Sequence, residues 1–152
     1  MINKFQNPTM VIPDIDRIDT NLIDLLSRFN QYGIAYSAQA GKNDGKLNIV
    51  CGISDITKLR NLSFSNLEIY AVELNYFGFF KFINFFGALI KRKKISISML
   101  IAGDPFRGLF VCRFIRYKSN TNYPLQAQFH GEIGITGFGN SFKNRIKNQL
   151  FK

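Results

Sequence analysis

The segment FGFFKFINFFGALIKRKK, residues 77–94, places six phenylalanines within ten residues, shortly before four consecutive basic residues. An aromatic block beside a basic run is typical of three structures. It can be a membrane anchor, a surface on which nucleic-acid bases stack, or a core helix that ends in a solvated turn. Because these alternatives lead to different folds and functions, the interpretation of the chain begins here.

The spacing of the apolar residues in this segment predicts an amphipathic core helix. Residues at intervals of three and four lie on one face of a helix, and here they are Phe79, Phe82, Ile83, Phe86 and Ile90. A spanning helix needs about 20 apolar residues, whereas residues 76–90 include Lys81 and Asn84. Membrane insertion is therefore not expected. Aromatics that stack on RNA bases usually lie on exposed strands, so the block is interpreted as packing.

Patterns on either side predict helices interleaved with mostly antiparallel strands. Alternating or continuous apolar runs predict strands at residues 10–19, 34–40, 47–53, 66–75, 94–103, 109–118 and 129–139. Thr20 or Asn21 can cap a helix that ends near Gly33, residues 53–64 are a short helix or a loop, and residues 140–152 form a basic helix. The predicted architecture is α+β, a mostly antiparallel sheet packed against helices, with residues 1–152 as a single compact domain.

The charge of the chain is large and unevenly distributed. The formal net charge is +10, which points to a polyanionic partner. Residues 1–74 carry 7 Lys/Arg and 8 Asp/Glu, while residues 75–152 carry 13 and 2. The anion-binding surface is therefore expected in the C-terminal half. The predicted RNA-binding residues are Lys91, Arg92, Lys93, Lys94, Arg107, Arg113, Arg116, Lys118, Lys143, Arg145 and Lys147.

Residue types that carry catalysis or bind metals are scarce. The one histidine, His130, has no nucleophile motif beside it, and the GFGN run at residues 137–140 lacks the context of a phosphate-binding loop. Cys51 and Cys112 lie in apolar runs, which favours buried free thiols. The sequence therefore predicts no catalytic residue, no metal site and no cofactor.

Four segments resemble the bacterial-type large-subunit ribosomal protein five family, whose members associate with 5S rRNA in the central protuberance. MVIPDIDRIDTN (10–21) resembles the opening strand of the family, and AVELNYFGFFKFINFFGALI (71–90) resembles a strand that leads into its amphipathic helix. FHGEIGITGFGNSF (129–142) resembles the closing strand, and DPFRGL (104–109) is similar to a further family segment.

The resemblance implies a non-catalytic structural protein of the large ribosomal subunit. Its implied partners are large-subunit rRNA including 5S rRNA, neighbouring ribosomal proteins, P-site tRNA and the small-subunit head. The abundance of residues with A/T-rich codons, among them 16 phenylalanines, favours a mitochondrion, with another organelle or an A/T-rich prokaryote as the alternative. The competing function is a basic peripheral membrane protein anchored by residues 77–94.

Overall fold

A computed structural model describes residues 7–18, 21–39 and 46–128 of the chain. Its strands are β1 (Asn7–Ile12), β2 (Leu47–Ile53), β3 (Leu67–Glu73), β4 (Ile97–Ala102) and β5 (Leu125–Ala127). Its α-helices are α1 (Leu22–Gln39), α2 (Gly78–Lys91) and α3 (Arg107–Ser119), and Ile15–Arg17 and Ile56–Leu59 form short 3-10 helices. The strands form one sheet in the order β3-β2-β1-β4-β5, and every neighbouring pair is parallel.

The prediction of a mostly antiparallel α+β sheet is wrong, because the described fold is of the α/β type. Parallel strands need a crossover between each pair, and helices on both faces of the sheet supply it. The sequence signal for this arrangement lies in β2, where all seven residues of LNIVCGI are buried. A continuous apolar strand is typical of a parallel sheet, whereas a strand with one solvated face alternates.

Two predicted strands are helical, and both errors come from reading a short pattern with the wrong period. Residues 34–39 continue α1, because Gly33 lies buried inside the helix and does not end it. Residues 109–118 belong to α3, where Val111, Cys112 and Ile115 are buried at helical spacing.

Most other predicted elements are confirmed. Asn21 caps α1, since its side-chain Oδ1 accepts a hydrogen bond of 3.3 Å from the backbone N–H of Asp24. The strands at residues 47–53 and 66–75, the first part of 10–19 and most of 94–103 are present as β2, β3, β1 and β4. Residues 53–64 contain the 3-10 helix Ile56–Leu59, whose cap is Asp55. The predicted strand at residues 129–139 and the helix at 140–152 lie outside the described residues.

Apolar side chains form one core on each face of the sheet. On the first face, Met10 and Ile12 of β1 pack with Leu25, Leu26 and Phe29 of α1. On the second face, Val11 packs with residues of α2 and α3, among them Phe82, Phe86, Val111 and Ile115. The helical stripe predicted for α2 is confirmed, because all five of its members belong to this second core or pack against it.

Both cysteines are buried free thiols, as predicted. Cys51 belongs to the first core and Cys112 to the second. Burial raises the pKa of the Cys112 thiol from 9.0 to about 12. Burial, together with the nearby carboxylate of Asp16, raises the pKa of Cys51 to about 12 as well. Both thiols are therefore protonated at neutral pH.

We expect neither cysteine of the native protein to react with a maleimide at pH 8, because burial blocks access and keeps the thiolate fraction small. Both thiols should react in concentrated guanidinium chloride, where the unfolded chain exposes them. Since the native pKa values lie above those of the unfolded chain, stability should fall as pH rises above about 9. Rapid native labelling, measured by mass spectrometry, would contradict the buried placement.

We expect Phe82→Ala to lower the free energy of unfolding by about 3–5 kcal/mol, because it leaves a cavity in the second core. Phe80→Ala on the same helix is the matched control. Phe80 is 69% exposed, so its removal should change stability by no more than about 0.5 kcal/mol. Urea denaturation followed by circular dichroism measures both values. Equal losses from the two variants would show that α2 is packed in a different register.

Candidate functional site

The directions of α2 and α3 decide where the predicted RNA-binding residues lie. Each helix begins after the carboxyl end of one strand and ends before the amino end of the next. Because all strands are parallel, both helices end at the amino edge of the sheet, and both pack on its second face. The sequence alone does not bring these two helix ends together, since they are separated by β4.

Cations from both helix ends meet in what we call the basic corner: Lys91, Arg92, Lys93, Lys94 and Lys118. All five are exposed. A groove of about 260 Å³ runs between the two helices, and Lys91 and Lys118 line it together with Ser119. The basic corner therefore joins the predicted run at residues 91–94 to a predicted residue from a separate element.

The basic run also closes α2 by a Schellman motif. The N–H of Lys94 donates to the carbonyl oxygen of Leu89 at 2.9 Å, and the N–H of Lys93 donates to that of Ile90 at 3.0 Å. Lys93 has a φ of 52°, the left-handed conformation in which glycine is usual at this position. A lysine stands here at a conformational cost that a glycine would not have.

The remaining predicted site residues are placed in three ways. Arg113 is exposed in the middle of α3. Arg116 lies in the last turn, where its guanidinium donates to the side-chain oxygen of Asn122 at 2.6 Å. Arg107 begins α3 at the carboxyl edge, so the structure separates it from the basic corner. Lys143, Arg145 and Lys147 lie outside the described residues.

Exposed aromatic side chains accompany these cations, and the interpretation of the whole aromatic block as packing is wrong in this respect. Phe82 and Phe86 are fully buried, but Phe80 is 69% exposed. On α3, Phe110 and Tyr117 are 55% and 84% exposed. We call the outward surface of the two helices the α2–α3 face, formed by Phe80, Lys81, Phe110, Arg113, Phe114, Tyr117 and Lys118.

Three aromatic rings at the α2–α3 face, those of Phe79, Phe110 and Phe114, form a connected row. Phe79 of α2 lies 5.9 Å from Phe110 of α3 between ring centroids. Phe110 in turn stacks on Phe114, at 6.4 Å and an interplanar angle of 17°. The Nζ of Lys118 lies 5.9 Å from the centroid of Phe114, within the range of a cation–π contact. Flat apolar surfaces and cations thus alternate along α3.

Acidic groups are nearly absent from this half of the described structure. Between residues 75 and 128 the one acid is Asp104, and it lies at the carboxyl edge, where its Oδ1 accepts a hydrogen bond of 2.8 Å from the N–H of Phe106. Residues 75–128 therefore contribute one carboxylate against nine Lys and Arg side chains, an excess of positive charge on this side of the sheet.

Four members of this surface are not among the residues predicted from the sequence: Phe80, Lys81, Phe110 and Phe114. Phe80 and Lys81 lay within the helix interpreted as packing, although their offset from the buried stripe was visible. Phe110 lay in a predicted strand. A helical period applied to residues 107–119 would have placed Phe110, Phe114 and Tyr117 on one side.

The described residues hold no group of three or more His, Cys, Asp or Glu side chains arranged to bind a metal ion. Among them, no helix has the length and the apolar character that crossing a membrane requires. His130 and the run at residues 137–140 lie outside the part of the chain that the structure describes.

Comparisons of the chain with protein-family models, with curated proteins and with solved structures found no match. The resemblance to the ribosomal family therefore stays a prediction.

We expect Lys93→Gly to raise the free energy of unfolding by about 0.5–1 kcal/mol, because glycine adopts a positive φ without strain. Lys94→Gly is the matched control, since it removes the same charge one residue later, where φ is not positive. The control should be neutral or destabilising. Thermal unfolding at fixed ionic strength measures both, and equal shifts would mean that charge, not backbone strain, sets the stability of this turn.

Proposed function

We propose that this protein binds RNA through the α2–α3 face and the basic corner. The observation that carries the proposal is the combination found there: cations from two helices, exposed aromatic rings beside them, and a segment, residues 75–128, whose one acid is Asp104 at the carboxyl edge. Cations contact phosphates without reading sequence, and aromatic side chains stack on unpaired bases. A surface that offers both cations and exposed aromatic rings is better suited to a single-stranded RNA segment or loop than to a regular duplex.

The order of groups along α3 supports this assignment. Phe110, Phe114 and Tyr117 supply planar surfaces on successive turns, while Arg113 and Lys118 lie beside them. Base stacking contributes about 1–3 kcal/mol for each base by alanine substitution. Since neither group type depends on base identity, we expect affinity with weak sequence preference and strong salt dependence.

The resemblance stated above extends the proposal to a particular RNA. On that basis the bound RNA is rRNA of a large ribosomal subunit, the protein is a non-catalytic structural component, and its location is the mitochondrion. Sedimentation of the native protein on a sucrose gradient tests this extension. The extension is supported if the protein comigrates with large ribosomal subunits and if RNase treatment abolishes this comigration. A position away from ribosomes would contradict the ribosomal part and leave RNA binding to the next experiment.

We expect Arg113→Glu to weaken binding of a single-stranded uridine oligonucleotide and to lower the slope of log affinity against log salt by about 1. Arg60→Glu is the matched control, because Arg60 is an exposed arginine beside the segment whose Leu59 and Leu62 pack on the first face of the sheet. Fluorescence anisotropy over a range of salt concentrations measures both variants.

Three outcomes of this experiment would contradict the proposal. Unchanged binding by Arg113→Glu would remove the α2–α3 face from the interface. Equal losses in the two variants would mean that net charge alone attracts the RNA. Binding to phosphatidylserine vesicles without binding to the oligonucleotide would favour the peripheral membrane function anchored by residues 77–94.

A further inference from the structure

A cleft at the carboxyl edge of the sheet is separate from the basic corner. The chain leaves β1 toward α1 on the first face and leaves β4 toward α3 on the second face. Neighbouring strands whose connections diverge in this way leave a crevice outside their carboxyl ends, where open α/β sheets bind ligands. In this structure the crevice is a cavity of about 520 Å³, within the range of small-molecule sites.

Three connections supply the walls of the cleft. Pro13, Asp14 and Arg17 follow β1, residues 74–79 follow β3, and Arg107 follows β4. Gly108 holds Arg107 in place, because the start of α3 lies directly on β1. A Cβ at Gly108 would come within 2.9 Å of the carbonyl oxygen of Val11. Any larger residue would push the first turn of α3, and Arg107 with it, away from the cleft.

The charges of the cleft favour an anion. Arg17 and Arg107 both line it, against the single carboxylate of Asp14. The Nε of Arg17 lies 3.1 Å from an Asp14 oxygen, which leaves the terminal guanidinium nitrogens of Arg17 available as donors. Within the described part of the chain, the guanidinium group of Arg107 has no hydrogen-bond or ion-pair partner. Guanidinium groups bind phosphate oxygens in bidentate geometry.

The remaining walls of the cleft favour a ligand that carries a planar ring. Leu74 and Phe79 offer apolar surface inside the cleft, and Tyr76 stands at its rim. Tyr76 is fully exposed and makes no ring contact with other described residues. Asn75 adds a polar group: its Oδ1 accepts a hydrogen bond of 3.2 Å from the N–H of Phe77, so its amide nitrogen stays available as a donor.

We propose that this cleft binds a nucleotide. Arg17 and Arg107 hold the phosphate, the base lies against Tyr76 and Phe79, and Asp14 accepts hydrogen bonds from sugar hydroxyl groups. A free phosphate would use the two arginines and leave the aromatic wall uncovered. The proposal does not depend on RNA binding by the α2–α3 face, because the residues that line the cleft are not members of that face. The basic corner lies at the opposite edge of the sheet.

Isothermal titration calorimetry of the full-length protein with the four nucleoside 5′-monophosphates tests the proposal, with inorganic phosphate as a separate probe. Arg107→Ala should weaken nucleotide binding by about tenfold to a hundredfold, the loss of a charge-assisted hydrogen bond. Arg60→Ala, which removes an exposed arginine outside the cleft, should leave it unchanged. Tyr76→Ala should weaken nucleotide binding and leave phosphate binding as it is.

Each other outcome would overturn the assignment. Absence of nucleotide binding at millimolar concentration would remove the site. Equal losses of nucleotide affinity in Arg107→Ala and Arg60→Ala would mean that the net charge of the protein attracts the nucleotide without a specific site. Equal affinity for nucleotide and inorganic phosphate would mean that the cleft binds a simple anion. Both Arg107 and Tyr76 are exposed, so circular dichroism should show that these variants fold like the parent.

Discussion

The burial of β1 between two layers of helices is the constraint on which the rest of this structure depends. β1 is paired with β2 on one side and with β4 on the other, so its backbone is saturated within the sheet. Its side chains alternate between two cores, Met10 and Ile12 on the first face and Val11 on the second. Because a parallel sheet needs cover on both faces, the chain crosses first on one side and then on the other.

The two candidate sites follow from this pattern of crossovers. α2 and α3 share the second face and both run from the carboxyl edge to the amino edge, so their basic ends meet at the amino edge. The same topology separates the connections after β1 and β4 at the carboxyl edge, where the cleft forms. One sheet thus has the basic corner at its amino edge and the cleft at its carboxyl edge, and Arg107 lines the cleft.

The aromatic residues of α2 and α3 divide between stability and recognition. Phe82 and Phe86 fill the second core, where their burial stabilises the packing of α2 on the sheet. Phe80 and Phe110 remain outside, beside Lys81 and Arg113. A contiguous exposed apolar patch is typical of an interaction site, and the cations around these rings are the reason for proposing an anionic partner. Helix position alone distinguishes the two roles, since the residue type is the same.

The sequence by itself determined which segments carry charge, where α2 lies, and which of its faces is buried, because these properties follow from composition and from a local period of three and four residues. It also identified β2, β3 and β4 as strands and both cysteines as buried. It could not determine strand direction, because pairing depends on contacts between distant segments, and a short run such as residues 109–118 fits two periods. Only the tertiary structure decided that the sheet is parallel, that Lys91 and Lys118 share one groove, and that Arg107 faces a different site, because β4 and its crossover helices set those distances.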